Sequence, residues 1–215
     1  MNKDKAIGIV GYGIYLPEGR QSAEEIAAAT NGMWTADAVR EKLGIEQKVI
    51  PGEHDGTQEM GVKAAKDALE RTKTDPEDID LLLSIGEEWK EYPLTTSGIY
   101  IQEQIGARRA WAMDVQQRCC STISALKMAR DMMLADESIN TVMIAGGYRN
   151  GDFVDYTDKT MSMMYNLSAA GGALILKKGY EHNLLLDAHM MSDGTMARDA
   201  EIGRASCRER VCHRV

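Results

Sequence analysis

One stretch, residues 110–135, constrains the fold most, because its hydrophobic pattern changes period within a few residues. Residues 110–115 form a short apolar run between polar neighbours, which is typical of a buried β-strand. From Cys119 onward, the apolar residues recur at the spacing of a helix. The pattern therefore predicts a strand that passes into a helix, with Cys119 at the junction.

A cysteine at such a junction has a chemical consequence. The first N–H groups of a helix lack partners within the helix, and the helix dipole places partial positive charge there. Cysteine pKa values fall near helix N-termini, and the thiolate is the nucleophilic form. Cys119 is therefore a candidate covalent catalyst, on the strand-turn-helix logic of nucleophile elbows. The alternative is that Cys119 is a small buried hydrophobe, as free cysteines often are.

The rest of the chain repeats the alternation of strand and helix. Strands are predicted at residues 6–16, 79–85 and 140–147, and helices at residues 22–30, 35–43, 57–72 and 95–105. Ser22 and Thr35 are the expected caps of the first two helices. Residues 161–165 fit either a short helix or a strand, and residues 173–176 and 183–191 predict two neighbouring antiparallel strands. This order predicts an α/β fold with right-handed crossovers and a mainly parallel mixed sheet.

Composition excludes several classes of protein. The 215 residues carry a net charge of −8 and no clustered basic patch, which argues against nucleic-acid binding. No apolar run is long enough to cross a membrane, so we expect no membrane association. The four cysteines form no spaced framework for disulfides, and a reducing compartment, the cytoplasm, is expected.

The composition changes at residues 201–215, which hold four arginines and no periodic apolar face. Residues 202–211 resemble the in-frame translation of a sequencing adapter. We therefore expect residues 1–200 to form the native unit and residues 201–215 to be a non-native read-through tail. Alternatively, Cys207, Cys212 and His213 could bind zinc, but structural zinc sites use four ligands. We expect no metal site.

A family resemblance enters with the residues before the cysteine. Asp114-Val-Gln-Gln-Arg-Cys119 resembles the Asp-x-x-x-x-Cys signature of 3-oxoacyl-acyl carrier protein synthase III, a branch of the thiolase-like condensing enzymes. Other segments of the family agree in order and spacing: Gly11-Tyr-Gly-Ile-Tyr-Leu-Pro17, Leu43-Gly44-Ile45, Asp75-Pro-Glu-Asp-Ile-Asp80, Asp155-Tyr-Thr-Asp-Lys159 and Ser192-Asp193-Gly194. The resemblance covers residues 6–196. It implies the N-terminal half of the thiolase-like α-β-α-β-α architecture, and a homodimer.

The resemblance also implies a reaction of fatty acid biosynthesis. Cys119 would accept an acyl group from acyl-CoA and pass it to malonyl-acyl carrier protein, forming a 3-oxoacyl thioester without a further cofactor. The family's catalytic His and Asn lie in the other half, and no histidine of this chain stands in a matching context. We therefore expect the chain alone to be inactive. Cys120 is assigned to packing, because one helical position turns a side chain by about 100°.

Two further positions follow from the resemblance. In the family, a Trp and an Arg sandwich the adenine of coenzyme A, and Trp34 and Lys159 stand in similar places. Trp34 could instead be a half-buried aromatic anchor. The segment Ser168-Ala-Ala-Gly-Gly-Ala173 departs from the Gly-Asp-Gly-Ala-Gly-Ala of the family, which leaves two alternatives open. One is an enzyme that resembles hydroxymethylglutaryl-CoA synthase or only transfers acyl groups; the other is a non-catalytic subunit of a condensing complex.

Overall fold

The computed structural model describes residues 6–86 and 92–196, and most of its elements follow the predicted order. The strands are β1 (Ile7–Tyr15), β2 (Gly19–Ser22), β3 (Gln47–Ile50), β4 (Leu81–Ile85), β5 (Trp111–Val115), β6 (Thr141–Tyr148) and β7 (Ala170–Lys178). The α-helices are α1 (Ala23–Ala29), α2 (Ala36–Leu43), α3 (Thr57–Thr72), α4 (Ser97–Ile105) and α5 (Ser121–Ala135).

Five strands form the central sheet in the order β1-β7-β6-β4-β5. β4 pairs in parallel with β5 and β6, whereas β7 is antiparallel to both β6 and β1. Four of the five strands therefore run in one direction, and the predicted mainly parallel mixed sheet is confirmed. A second sheet, which the sequence pattern did not predict, pairs β2 with β3.

Helices cover the two faces of the central sheet unequally. α3 and α4 pack on one face, and α3 contacts β1, β6 and β7. On the other face, α5 packs against β4, β5 and β6, burying Ala125, Ala129 and Met133. A Cβ atom at Gly13 would overlap the carbonyl oxygen of Ala64 in α3. Only glycine at that position allows the helix to approach the strand so closely.

Part of the α5 side of the sheet stays uncovered in the described residues. Gly13 faces α3, so its neighbours Tyr12 and Ile14 point to the opposite face, because side chains alternate along a strand. These two side chains are 52% and 49% exposed, and Ile123 on α5 is 52% exposed. An apolar surface is thus continuous from β1 towards α5.

The small sheet carries a third core of its own. α1, α2 and the segment 154–165 pack around Ile26, Val39, Met161 and Tyr165. As predicted, Ser22 caps α1, and Glu25 completes a capping box by accepting from the Ser22 N–H. The predicted Thr35 cap of α2 is likewise confirmed by its bond from the Ala38 N–H.

Two sequence expectations were wrong in detail, and one open alternative is decided. β5 is an edge strand instead of a buried one, and its Trp111 is 58% exposed. α5 begins at Ser121, because residues 116–120 form a turn instead of the first helical turn. Residues 161–165 had been left undecided, and the structure places a 3-10 helix at Lys159–Met164.

The expected hairpin near the end of the described chain is also wrong. β7 lies between β6 and β1, and the following segment joins the far side of β1 through a single bridge from Leu184 to Gly8. Beyond that bridge, the Arg130 guanidinium donates to the carbonyl oxygens of Leu185 and Leu186 at 3.2 and 3.0 Å. These carbonyls face an α5 side chain instead of a strand, so the pairing ends.

Candidate active site

Cys119 lines a cleft of about 250 Å³. The cleft lies where the ends of several strands meet. The C-terminal ends of β4 and β6 and the start of β7 meet at one edge of the sheet, because β7 runs opposite to the other two strands. The cleft is lined by Ile85, Gly86, Arg118, Cys119, Ser121, Thr122, Gly146, Gly147, Tyr148, Ala170, Gly171 and Gly172.

A tight turn presents Cys119 to this cleft. Arg118 has a φ of 52°, in the left-handed region that non-glycine residues rarely adopt. The Cys120 N–H then donates to the Gln117 carbonyl oxygen at 3.0 Å, and the Ser121 N–H donates to the Arg118 carbonyl oxygen at 3.0 Å. Cys119 is exposed at the top of this turn. This is the strand-turn-helix arrangement that the sequence predicts, although the helix starts two residues later.

Ser121 holds the two sides of the turn together, a role that the sequence analysis missed. Its buried Oγ accepts from the Gln117 N–H at 2.8 Å and donates to the Arg118 carbonyl oxygen at 2.7 Å. Ser124, one turn along α5, bonds the side-chain oxygen of Gln117. The position of Cys119 is therefore set by bonds on both sides of it, as a nucleophile that must meet a substrate requires.

Glycine backbone forms the opposite wall of the cleft. A Cβ atom at Gly146 would overlap the carbonyl oxygen of Ile85, and one at Gly147 would overlap that of Thr57. A Cβ atom at Gly172 would meet no heavy atom within 4 Å. Gly146 and Gly147 therefore allow the backbones behind this wall to approach closely, and Gly172 leaves open space.

Asp114, the first residue of the signature, caps the start of α4. Its carboxylate oxygens accept from the N–H groups of Ser97 and Gly98 at 3.1 and 2.8 Å, at the start of α4. The N-cap residue of α4, Thr96, makes no side-chain bond to the helix. A carboxylate there is favoured by the unpaired N–H groups and the helix dipole. Asp114 thus fastens α4 to the strand that leads to Cys119.

A charged network lies at the same end of the sheet. The Asp55 carboxylate accepts from Tyr15 Oη at 2.7 Å, Lys63 Nζ at 2.8 Å and the Gly52 N–H at 2.9 Å. Burial by itself would raise the pKa of Asp55, but these hydrogen bonds outweigh burial and lower the pKa to about 2. Arg149, which follows β6, donates to the Asp55 carbonyl oxygen at 2.9 Å. The network joins β1, α3 and the end of β6.

Cys120 does not pack in the interior. Its side chain is exposed, as Cys119 is, so its assignment to packing was wrong. Cys120 is the N-cap residue of α5 and lies outside the regular helix. The described residues leave its side chain exposed to solvent. The two thiols differ in that Cys119, and not Cys120, lines the cleft.

Trp34 packs against the third core, and Lys159 begins a 3-10 helix that contributes to it; both lie away from the Cys119 turn along the chain. Trp34 is half-buried, and its ring meets that of Tyr165 edge-on with 6.2 Å between centroids. Lys159 is exposed and begins the 3-10 helix Lys159–Met164, whose Met161 is buried in this core. Trp34 therefore has the contacts of an aromatic anchor, and the two predicted coenzyme A residues share one structural unit.

The remaining sequence predictions concern histidine and asparagine near Cys119, metal sites, the tail and membrane-spanning helices. No histidine or asparagine of the described residues lines the cleft. Within residues 6–86 and 92–196, no cluster of three or more metal-ligand side chains occurs. The tail residues 201–215, with Cys207, Cys212 and His213, lie outside the described residues. Of the helices described, none is long and apolar enough to cross a membrane.

A comparison with protein families matches the part of the chain that holds the signature. A family model described as 3-oxoacyl-[acyl-carrier-protein (ACP)] synthase III matches residues 113–194, which include Cys119. The chain is 26% identical over 190 residues to beta-ketoacyl-[acyl-carrier-protein] synthase III of Wolbachia pipientis wMel, covering 87% of this chain and 58% of the relative. It is 29% identical over 188 residues to the enzyme of that name from Chlorobium luteolum, covering 86% of this chain and 55% of the relative.

The chain is thus similar to the 3-oxoacyl-acyl carrier protein synthases III. It spans little more than half the length of these relatives.

Solved structures show the same fold. The 3-oxoacyl-(acyl carrier protein) synthase III of Pseudomonas aeruginosa PAO1 superposes with a TM-score of 0.79 at 19% identity, over 97% of this chain and 62% of that one. The enzyme from Thermus thermophilus also gives a TM-score of 0.79, at 22% identity, over 89% of this chain and 58% of that one. The thiolase-like α/β fold implied by the sequence is thus confirmed.

Proposed function

We propose that this chain is the N-terminal half of a condensing acyltransferase, in which Cys119 accepts the acyl group of an acyl-CoA. The observation that carries the proposal is the exposed Cys119 thiol at the mouth of a glycine-walled cleft, in a relative of the 3-oxoacyl-acyl carrier protein synthases III. The turn that holds Cys119 places it two residues before α5.

The first chemical step follows from the thiol. The Cys119 thiolate attacks the carbonyl carbon of acyl-CoA, a carbon–sulfur bond forms, and the coenzyme A thiolate leaves with the electron pair of the bond that breaks. A thiolate suits this exchange because it is both a good nucleophile and a good leaving group. The cleft of about 250 Å³ beside Cys119 leaves room for the tetrahedral intermediate.

The second step regenerates the cysteine. Malonyl-acyl carrier protein loses carbon dioxide, and its carbanion attacks the carbonyl carbon of the acyl-cysteine. The carbon–sulfur bond then breaks, which gives a 3-oxoacyl-acyl carrier protein and the free Cys119 thiolate. In the family that the sequence resembles, a His and an Asn assist the decarboxylation, and both lie in the other half. Two half-reactions replace one difficult step.

The missing half also accounts for the uncovered apolar face. We assign residues 1–200 to the N-terminal half and residues 201–215 to a non-native tail. The second half would cover Tyr12, Ile14 and Ile123, which are half exposed in this chain. The chain alone would therefore lack turnover, because it holds the group that accepts the acyl unit without those that form the carbanion.

Several finer points belong to the same proposal. Coenzyme A would place its adenine between Trp34, which packs against the third core, and the exposed Lys159, which begins the 3-10 helix that contributes Met161 to that core. Lysine keeps the positive charge of the family's arginine but lacks its flat stacking surface. The complete enzyme would be a cytoplasmic homodimer that needs no cofactor besides its thioester substrates.

Mass spectrometry tests the acyl-cysteine. The protein that carries both halves is exposed to acetyl-CoA, digested, and searched for an acetyl group on the peptide that holds both Cys119 and Cys120. We expect the adduct in the wild type and in Cys120→Ala, and its loss in Cys119→Ala. An adduct that persists in Cys119→Ala would refute the assignment.

Product analysis then identifies the reaction. With malonyl-acyl carrier protein, we expect a 3-oxoacyl product. Acylation without this product would instead indicate an enzyme that only transfers acyl groups or resembles hydroxymethylglutaryl-CoA synthase. Failure of acetyl-CoA to label Cys119, together with ordinary reactivity towards iodoacetamide, would indicate a non-catalytic subunit.

A further inference from the structure

A buried lysine with unusual partners lies beneath the third core. Lys48 on β3 is 7% exposed, and its Nζ donates to the carbonyl oxygens of Tyr165 and Leu167 at 2.9 and 2.8 Å. The ammonium also lies 5.1 Å from the centroid of the Tyr156 ring. All three partners lie in one segment, residues 156–167, which is more than a hundred positions away along the chain.

These partners carry no negative charge. Among the described residues, no carboxylate lies within ion-pair distance of Lys48, and burial lowers the pKa of Lys48 to about 8. Removing an ammonium from water without an ionic partner is costly unless its N–H groups are satisfied. Two carbonyl oxygens and a π-face satisfy them here. This environment indicates that Lys48 holds the segment 156–167 in place.

Further bonds attach the same segment to the small sheet. Ser168 Oγ donates to the carbonyl oxygen of Val49, the neighbour of Lys48, at 2.6 Å. Tyr156 Oη donates to Gln21 Oε1 on β2 at 2.8 Å, and Tyr165 Oη donates to the Tyr156 carbonyl oxygen at 2.9 Å. The segment therefore rests on β2 and β3, with Lys48 as its only charged attachment among these bonds.

Lys48 is connected through Tyr165 to both residues proposed to hold the adenine. Lys159 begins a 3-10 helix that ends at Met164, directly before Tyr165, whose carbonyl oxygen Lys48 binds. The Tyr165 ring, in turn, supports the Trp34 ring edge-on. Displacing Tyr165 would thus move Trp34 and Lys159 relative to each other.

We infer that Lys48 is a positioning residue for coenzyme A, holding the segment 156–167 so that Trp34 and Lys159 keep their positions relative to each other. This inference rests on the proposed function for the identity of the ligand. Lys48 itself is buried beneath the segment and acts through Tyr165 and Leu167. Its removal affects binding of the nucleotide end of the substrate and leaves the chemistry of Cys119 unchanged.

Two measurements on the 215-residue chain test the inference. Coenzyme A affinity is measured by calorimetric titration, and Cys119 reactivity is measured as the rate of alkylation by iodoacetamide, a small reagent that needs no adenine site. In Lys48→Met we expect affinity to fall about tenfold or more, as misplaced binding groups typically cause, with an unchanged alkylation rate. Lys48→Arg, which can donate to the same carbonyl oxygens, should restore most of the affinity.

A matched control comes from a remote lysine. Lys178 Nζ also donates to a backbone carbonyl, that of Asp136, at 3.0 Å, but lies at the end of β7. Lys178→Met should bind coenzyme A as the wild type does. If Lys48→Met loses its far-ultraviolet circular dichroism, Ser168→Ala replaces it, because this change removes only the neighbouring bond to β3, and its affinity should fall several-fold.

Each remaining outcome has a definite meaning. Wild-type affinity in folded Lys48→Met, or in Ser168→Ala where that variant is needed, overturns the inference. An equal loss in Lys178→Met also overturns it, because the effect would then be general. Absence of coenzyme A binding by the wild-type chain overturns it together with the Trp34 and Lys159 assignment. Coenzyme A binding without acylation of Cys119 in the complete enzyme would refute only the proposed reaction.

Discussion

Asp55→Asn is expected to lower the free energy of unfolding by about 2–3 kcal/mol at pH 7. The carboxylate is 11% exposed and accepts bonds from Tyr15, Lys63 and the Gly52 N–H. An amide of the same shape removes the negative charge, so the Lys63 ammonium loses its ionic partner. An amide nitrogen would also face donors where the native oxygen accepts. Breaking one side of a buried charged network is among the costlier single changes.

The magnitude follows from the pKa of the Asp55 carboxyl. Hydrogen bonds hold this pKa at about 2 in the folded protein, against the ordinary value of 3.8. The difference is nearly two units, and each unit is worth about 1.4 kcal/mol. Because the folded pKa is the lower one, this stability is present above the unfolded value and is lost as the pH falls from about 4 through about 2.

Urea unfolding, followed by circular dichroism at low protein concentration, measures the effect at pH 7 and at intervals down to pH 2.5. The difference between wild type and Asp55→Asn should shrink as the pH falls below about 4. Asp67→Asn is the control, since its carboxylate pairs with Arg71 on the exposed side of α3 and should cost under about 1 kcal/mol. Equal losses in the two variants, or a difference independent of pH, would refute the reasoning.

Two further predictions concern backbone geometry near the cleft. Gly171→Ala should destabilise the protein by about 3 kcal/mol, because its methyl group would overlap the carbonyl oxygen of Met60 in α3. Gly172→Ala, one position along β7, meets no heavy atom within 4 Å and should change stability by under about 1 kcal/mol. Similar urea midpoints for the pair would contradict this account. Arg118 has a φ of 52°, so Arg118→Gly should be more stable than Arg118→Ala by about 1 kcal/mol. Thermal unfolding measures this difference, and a higher melting temperature for Arg118→Ala would show that the turn has relaxed.

Local signals were readable from the sequence because cause and effect lie within a few residues. Ser22 caps a helix whose first N–H groups are two or three positions away, and Gly44 ends α2 in the left-handed conformation that glycine adopts without strain. Alternating strand and helix patterns likewise predicted the α/β class, because each period depends on neighbours in the chain. The motif around Cys119 belongs to the same group, since its turn spans only residues 116–120.

Non-local pairing could not be predicted in the same way. The hairpin expected after β7 was wrong because β1, from the other end of the chain, occupies the position beside β7. β5 was expected to be buried because a short apolar run does not reveal whether a strand lies at the centre or the edge of a sheet. The bonds of Asp55 to Tyr15 and of Lys48 to Leu167 join residues 40 and 119 positions apart, and no local pattern indicates them.

The helix caps, the alternation of elements and the cysteine that follows a strand could be predicted from local sequence, because each depends on short-range sterics and hydrogen bonding. The thiol that faces the cleft and the glycines that form its wall became evident only in the folded structure. Those features depend on the approach of distant backbones, as where Gly146 meets Ile85 and Gly171 meets Met60. Close packing of distant segments is set by the whole fold and leaves no periodic trace in the chain.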